Sequence, residues 1–152
     1  MHTRKKIYDQ RTEYNVVILL ITKVMLATDG SESSKNALNY SLGFLPNDVK
    51  LIIISVMPEV VKQELETSLK TLHEKIVREA NDIVKKKRPD LVVDTIVDEG
   101  IPSDIICYYA NAENVDMVIM GSRGLGGVKG FILGSVSRNV VNMCSKPVLI
   151  VK

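Results

Sequence analysis

Apolar residues along this chain fall into two alternating patterns, short β-rich runs and stretches of helical period. KVMLAT, Lys23 to Thr28, reads as a strand that stops at Asp29-Gly30. Ser31 then offers a helix N-cap, with Glu32 in the first turn, where the helix dipole favours an anion. Ala37, Leu38, Leu42 and Leu45 space out one apolar face, and Pro46-Asn47 ends that helix. KLIIISVM, Lys50 to Met57, is apolar on both faces, as a strand covered by helices on both sides should be. From about Glu59 to Lys87, the residues Val61, Leu65, Leu69, Leu72, Ile76, Ala80 and Ile83 recur at steps of three or four, which predicts a long helix with one apolar stripe. Leu91 to Val97 reads as a third strand. Gly100-Ile101-Pro102 then turns into a helix through Ile105, Ile106 and Tyr109. VDMVIM, Val115 to Met120, reads as the fourth strand, Ser135 to Cys144 as a helix, and Pro147 to Val151 as the fifth strand.

Five strands joined by four helices in regular alternation imply a parallel sheet with helices on both faces. That unit spans residues 23–152. Residues 1–22 fall outside it as an N-terminal extension. Its polar start is expected to be mobile, but VVILLI, Val16 to Ile21, is too apolar to leave in water. It predicts an ordered strand from about Asn15 to Ile21 that contributes to oligomerisation. The run is far short of the roughly 20 residues of a membrane span, and no small-residue cleavage site follows it. The expectation is a cytoplasmic protein with no membrane contact.

Composition narrows the function classes. A chain of 152 residues with 45% hydrophobic and 25% charged residues can bury a core without disulfides or a structural metal. A net charge of +2, no Trp and two Phe argue against a nucleic-acid binder. The KKKR run, Lys85 to Arg88, is read as cations closing a helix C-terminus before Pro89. Cys107 and Cys144 are far apart in sequence and each lies among apolar residues, which predicts two buried thiols. His73 borders the apolar helical stripe, and a packed or half-exposed side chain is expected there rather than a ligand.

One stretch departs from this ordinary background. GSRGLGGVKGFILGSVS, residues 121 to 137, holds six of the nine glycines. It links a strand end to a helix start, a geometry that presents free N–H groups and a positive dipole end to an anion. The Walker loop requires Gly-Lys, and no such dipeptide occurs in the chain. The dinucleotide fingerprint G-x-G-x-x-G fails at Lys129, and the nucleophile elbow G-x-S-x-G is absent.

What remains is Gly121-x2-Gly124-x9-Gly134-Ser135. Here the chain resembles the universal stress protein family, in its ATP-binding branch, whose signature is G-x2-G-x9-G-[S/T]. LATDGS at 26–31, DEGIP at 98–102, VDMVIMGSRG and the final KPVLIVK resemble the family's strands and turns in their expected order. The resemblance implies an open, doubly wound five-stranded parallel sheet of the adenine nucleotide alpha-hydrolase type, in the order 3-2-1-4-5. It also implies ATP, ADP or AMP as ligand, with Mg²⁺ or Mn²⁺. By position, Gly121 and Gly124 would let the loop lie close to ribose and phosphate, and Gly134 would open the helix N-terminus. Ser135 and Ser137 would offer hydroxyls and N–H groups to phosphates. Asp29 would face the ribose or a metal, Val56 would pack on adenine, and Ala27 and Thr28 would edge the base. Met120, Ser122, Arg123 and Val136 flank these positions and are counted with them. Three of these residues carry an alternative reading. Asp29 could cap the following helix, and Ser135 is itself a good N-cap. Arg123 and Lys129 could meet phosphates or be solvated loop charges, and the glycines at 126, 127 and 130 could serve loop mobility alone.

The functional expectation is an adenine-nucleotide-binding regulatory stress-response protein, forming a homodimer through its edge strand at Val148–Val151. The alternatives are a slow ATPase or phosphotransferase, and a dimeric scaffold with a vestigial site. No arranged nucleophile or nearby histidine is visible in the sequence, so no catalytic residue is assigned.

Overall fold

The computed structural model describes residues 21–59, 63–125 and 133–152. Among these, five strands alternate with four helices: β1 (Lys23–Ala27), α1 (Glu32–Leu42), β2 (Lys50–Met57), α2 (Gln63–Lys87), β3 (Val92–Glu99), α3 (Pro102–Ala112), β4 (Met117–Gly121), α4 (Ser135–Met143) and β5 (Val148–Val151). Every strand pair is parallel, and the order is β3-β2-β1-β4-β5. No described helix is long and apolar enough to cross a membrane.

Successive side chains on a strand point to opposite faces, and both faces are covered. Val24, Leu26, Leu51 and Ile53 pack with Ala37, Leu38, Val77 and Val84 of α1 and α2. Met25, Ala27, Ile52, Ile54 and Val118 pack with Ile106, Ala110 and Val140 of α3 and α4. The unbroken run of buried isoleucines in β2 follows from this two-sided burial, each side chain contributing roughly 1.5–3 kcal/mol.

Helix α2 has the expected period, but its buried face is displaced by one position. His73, Val77, Ala80 and Val84 are buried, whereas Leu65 and Leu72 are about half exposed, at 49% and 48%. Among the described residues of the expected stripe only Ala80 is buried. The inward line runs through a histidine, which an apolar count cannot see. Val61 of that stripe and the glycines at 126, 127 and 130 lie outside the described residues, as does Lys129.

Helix α1 ends at Leu42 rather than Leu45. The N–H groups of Gly43, Phe44 and Leu45 turn back to Tyr40 and Ser41 carbonyls, and the Arg88 guanidinium donates to the carbonyls of Leu42 and Leu45 at 3.2 and 3.1 Å. The KKKR run thus supplies ties within the fold: Arg88 closes α1, and Lys85 donates to the Leu91 carbonyl at 2.5 Å.

The two cysteines, distant in sequence, meet in space. Ser145 donates to Asn111 Oδ1 at 2.6 Å, which brings the end of α4 against α3 beside Cys107. Cys107 is buried and Cys144 only partly so, which corrects the expectation of two buried thiols. Burial pushes the Cys107 thiol up to about 12, with Cys144 beside it adding to the rise.

At the base of the sheet, Thr22 is tied in on two sides. Its N–H donates to Asp116 Oδ2 at 2.7 Å, and its carbonyl accepts from Lys50 N at 2.8 Å. The strand expected over residues 15–21 lies outside the described residues except Ile21, which is not in a strand and packs on the α1–α2 layer.

Candidate functional site

Strand order reverses between β1 and β4, because β1 connects onward to β2 on one side while β4 leads to β5 on the other. In open α/β sheets a crevice forms at the C-terminal strand ends where this happens. Here it is a cleft of about 610 Å³ on the α3–α4 face, within the usual range for small-ligand sites. Ile54 and Val56, two apart on one face of β2, form its apolar floor with Pro102 and Ile106 from the start of α3. Ala27 and Thr28 at the end of β1, Met120 and Gly121 at the end of β4, and the α4 N-terminus complete it.

The structure brings every expected site residue to this cleft except Ser122. Ser122 is buried beneath it, and its carbonyl accepts from Gly134 N at 2.8 Å and from Ser137 Oγ at 3.0 Å. These two bonds draw the two ends of the glycine stretch together. The Ser137 hydroxyl therefore points into the protein, where it also lies 3.1 Å from the Gly134 carbonyl. What Ser137 presents to a ligand is its backbone, not the donor hydroxyl expected of it.

The loops after β1 and β4 are stitched together. Asp29 Oδ2 accepts from Leu125 N at 3.0 Å, and Asp29 Oδ1 from Ser31 N at 3.0 Å. Ser33 Oγ accepts from Arg123 N at 3.3 Å, and Ser31 Oγ donates to the Arg123 carbonyl at 3.4 Å. The N-cap of α1 is Ser31, which accepts from Ser34 N. Asp29 is thus not a helix cap. Its carboxylate bridges two loops that are nearly a hundred residues apart in sequence.

This geometry gives two glycines a nearer cause than a ligand. A Cβ on Gly121 would lie 2.5–2.7 Å from the Oγ, C and O atoms of Ser33, and a Cβ on Gly124 would lie 2.5 Å from Asp29 Oδ2. At Gly121 the backbone of Ser33 leaves no room for a side chain, whereas at Gly124 the obstacle is the end of the Asp29 side chain. Gly134 is different: a Cβ there would meet only ordinary contacts, the nearest Arg123 Cα at 3.5 Å. It is the N-cap of α4, with no side-chain cap, and it precedes Ser135 rather than following it. The first N–H groups of α4 are consequently left without a capping side chain at the mouth of the cleft.

His73 stands nearer the site than the sequence suggested. It is buried, and its Nδ1 lies 2.8 Å from Ser55 Oγ on the opposite face of β2 from Val56. Burial lowers its pKa, and the nearby Asp29 carboxylate partly opposes this. Seven residues of the cleft were not read from the sequence as site residues: Ser34, Ile54, Pro102, Ile106, Leu125, Leu133 and Arg138. Arg138 could have been found, since a helical side chain leans back toward the N-terminus, which carries position 138 over the first turn of α4.

Among the described residues no three His, Cys, Asp or Glu side chains cluster as a metal site. Among the described residues Asp29 is the only acid lining the cleft. A divalent cation here would need most of its ligands from a bound phosphate chain, the usual arrangement for Mg²⁺.

An open parallel sheet with a loop-built cleft at its switch point defines an α/β domain of the doubly wound class. Within that class the assignment is direct: the model of the universal stress protein family matches residues 21–152, and the chain belongs to that family. Universal stress protein MJ0531 of Methanocaldococcus jannaschii is 29% identical over 142 residues, covering 88% of this chain and 83% of the relative. Universal stress protein YxiE of Bacillus subtilis is 30% identical over 148 residues, covering 88% and 100%. Among solved structures, hypothetical protein MJ0577 superposes with a TM-score of 0.72 at 34% identity, covering 88% of this chain and 97% of that one. A universal stress protein in complex with cAMP superposes with a TM-score of 0.67 at 29% identity, covering 86% and 96%.

Two outcomes follow from the site's construction. Gly121→Ala drives a methyl into the backbone of α1 and should cost about 1–3 kcal/mol in urea unfolding. Gly124→Ala meets only the end of the Asp29 side chain, so its cost should be smaller and confined to the Asp29–Leu125 bond. Equal costs would contradict this account.

The second outcome concerns pH. The folded-state pKa of His73 lies below its unfolded value of about 6.5, so the unfolded chain binds the proton more readily. The contribution to stability is full above pH 6.5 and is lost as pH falls below it. A His73→Gln variant should show a shallower loss of stability between pH 7.5 and 5 than the parent. Parallel curves would remove His73 from the explanation.

Proposed function

We propose that this chain is a regulatory protein that binds an adenine nucleotide, ATP, ADP or AMP, in the cleft at the β1–β4 switch point. The observation that carries the reading is the pairing of an apolar floor with an uncapped helix N-terminus in one cleft. Adenine packs on Val56, edged by Ala27 and Thr28, with Ile54, Pro102 and Ile106 around it. The ribose lies over Gly121 near Asp29. The phosphates take the N–H groups of Ser135, Val136 and Ser137, where unpaired donors and the helix dipole both favour negative charge. Asp29 and the phosphates together hold Mg²⁺ or Mn²⁺. The cAMP complex of a family member at 29% identity supports an adenosine phosphate as the ligand class.

The cleft offers little for phosphoryl chemistry. His73 is buried on the far face of β2 and bonded to Ser55, and Asp29 already accepts two backbone N–H groups. We therefore favour occupancy of the site, rather than turnover, as the regulatory signal.

Assembly is proposed through β5. It forms one edge of the sheet, and Val148 to Val151 are all only partly buried. An apolar edge invites pairing with a second strand, and pairing with its own twofold copy closes the assembly.

The nucleotide reading is tested by denaturing freshly purified protein and identifying any adenine nucleotide released. Val56→Asp should weaken ATP, ADP and AMP alike, by about tenfold or more, because it sets a charge against the base. GTP and CTP binding as tightly as ATP in calorimetry would sink the placement of adenine. Gly124→Asp is the less informative variant, since it would collide with Asp29 whether or not a ligand is bound. For assembly, light scattering should give a dimer, and Leu149→Pro a monomer or a poorly folded chain. A wild-type monomer at micromolar concentration would count against the edge pairing.

A further inference from the structure

Two arginines lie at the α4 end of the cleft in an unusual electrostatic position. Arg138 sits four residues after the Gly134 N-cap, and its Nη2 reaches back to the Leu133 carbonyl at 3.4 Å. Arg123 is held beside the same helix end: its N–H and carbonyl are tied to Ser33 and Ser31, and its Cα lies 3.5 Å from where a Gly134 Cβ would be. Both line the cleft. A cation at a helix N-terminus opposes the macrodipole, whose positive end prefers Asp or Glu. Here the first turn of α4 carries no acidic residue. Among the described residues neither arginine forms an ion pair, and the cations that do are Lys23, Lys50, Lys75 and Arg88.

The lining of the cleft therefore includes two arginines and a positive helix end and, among the described residues, a single carboxylate, Asp29, whose two oxygens already accept N–H groups. A monophosphate, carrying about −1.5 to −2 at neutral pH, would balance that charge, and a longer phosphate chain brings more negative charge to the same cations and gains more from them.

We infer that Arg138, acting with Arg123, reads the length of the phosphate chain, so that this chain prefers nucleoside triphosphates over monophosphates and over a cyclic monophosphate. The inference rests on the nucleotide reading above and adds a specificity residue to it. Arginine suits the role because its planar fork can bind two phosphate oxygens at once. Arg138 lies on a short, packed helix whose N-terminal end is pinned through Ser122, so the fork is held where the chain would end. The interaction is charge-assisted, of the kind whose removal typically costs a tenfold change in affinity or more.

The test is calorimetric titration of the full chain with ATP, AMP, cAMP and adenosine, each at low and high salt. The parent should bind ATP more tightly than AMP or cAMP, with the preference shrinking as salt rises. Arg138→Gln should reduce the ATP-to-AMP affinity ratio about tenfold, and Arg138→Lys should restore part of it. The Arg123→Gln, Arg138→Gln pair should bring the ratio near one. A variant that loses ATP and AMP in equal proportion gives Arg138 a merely structural role and overturns the inference. So does an unchanged ratio in a variant that melts like the parent. Failure of the parent to bind any of the four ligands overturns the nucleotide reading itself, whereas binding without discrimination by chain length overturns only the part assigned to the arginines.

Discussion

The Asp29 carboxylate is the constraint on which the upper surface of this protein depends. It sits at the turn after β1 and accepts N–H groups from its own loop and from Leu125 in the loop after β4. Parallel pairing of β1 with β4 brings the two strand ends side by side, but pairing alone leaves the loops free to diverge. The carboxylate, with Ser31 and Ser33 bonding to Arg123, holds the loops together above the sheet. Each bond lies at or near the surface and is modest by itself. Together they remove loop freedom that a ligand would otherwise have to remove on binding.

The same constraint explains why the glycine signature has its form. Gly121 gives way to the backbone of α1, and Gly124 gives way to the carboxylate. Gly134 leaves the start of α4 uncapped. Two of the three signature glycines therefore serve the assembly of the cleft, and the third leaves the first N–H groups of α4 without a side-chain cap. The cleft is held in shape by the chain's own loops. Its positive end is built from one helix dipole and two arginines drawn from separate elements.

Beneath the cleft, the fold is over-determined. Both faces of β1, β2 and β4 are covered, and the two core layers share the sheet between them. Within this core His73 pairs with Ser55 and Thr28 with Ser34. The Ser55 pairing places an imidazole one strand away from Asp29, where the carboxylate's field reaches it.

The alternation of strands and helices was legible because period two and period 3.6 are local properties, set by where side chains must point. The parallel sheet followed from it, and the glycine spacing 121, 124, 134 marked the site. The sheet order came from resemblance and was matched by the structure, not deduced from hydropathy. Local patterns could not show which side of α2 faces inward, because that line passes through His73, whose burial depends on a hydroxyl in β2. Nor could they show that Cys107 and Cys144 meet, that Arg88 closes α1, or that the Ser137 hydroxyl turns inward to Ser122. Each of these is a contact between residues whose separation along the chain carries no information about their separation in space. The sequence by itself determined the elements, their class and the glycine stretch that lies at the cleft. Tertiary structure alone decided what each polar group of that stretch touches, because a hydrogen bond is fixed by distance and direction that only the closed fold supplies.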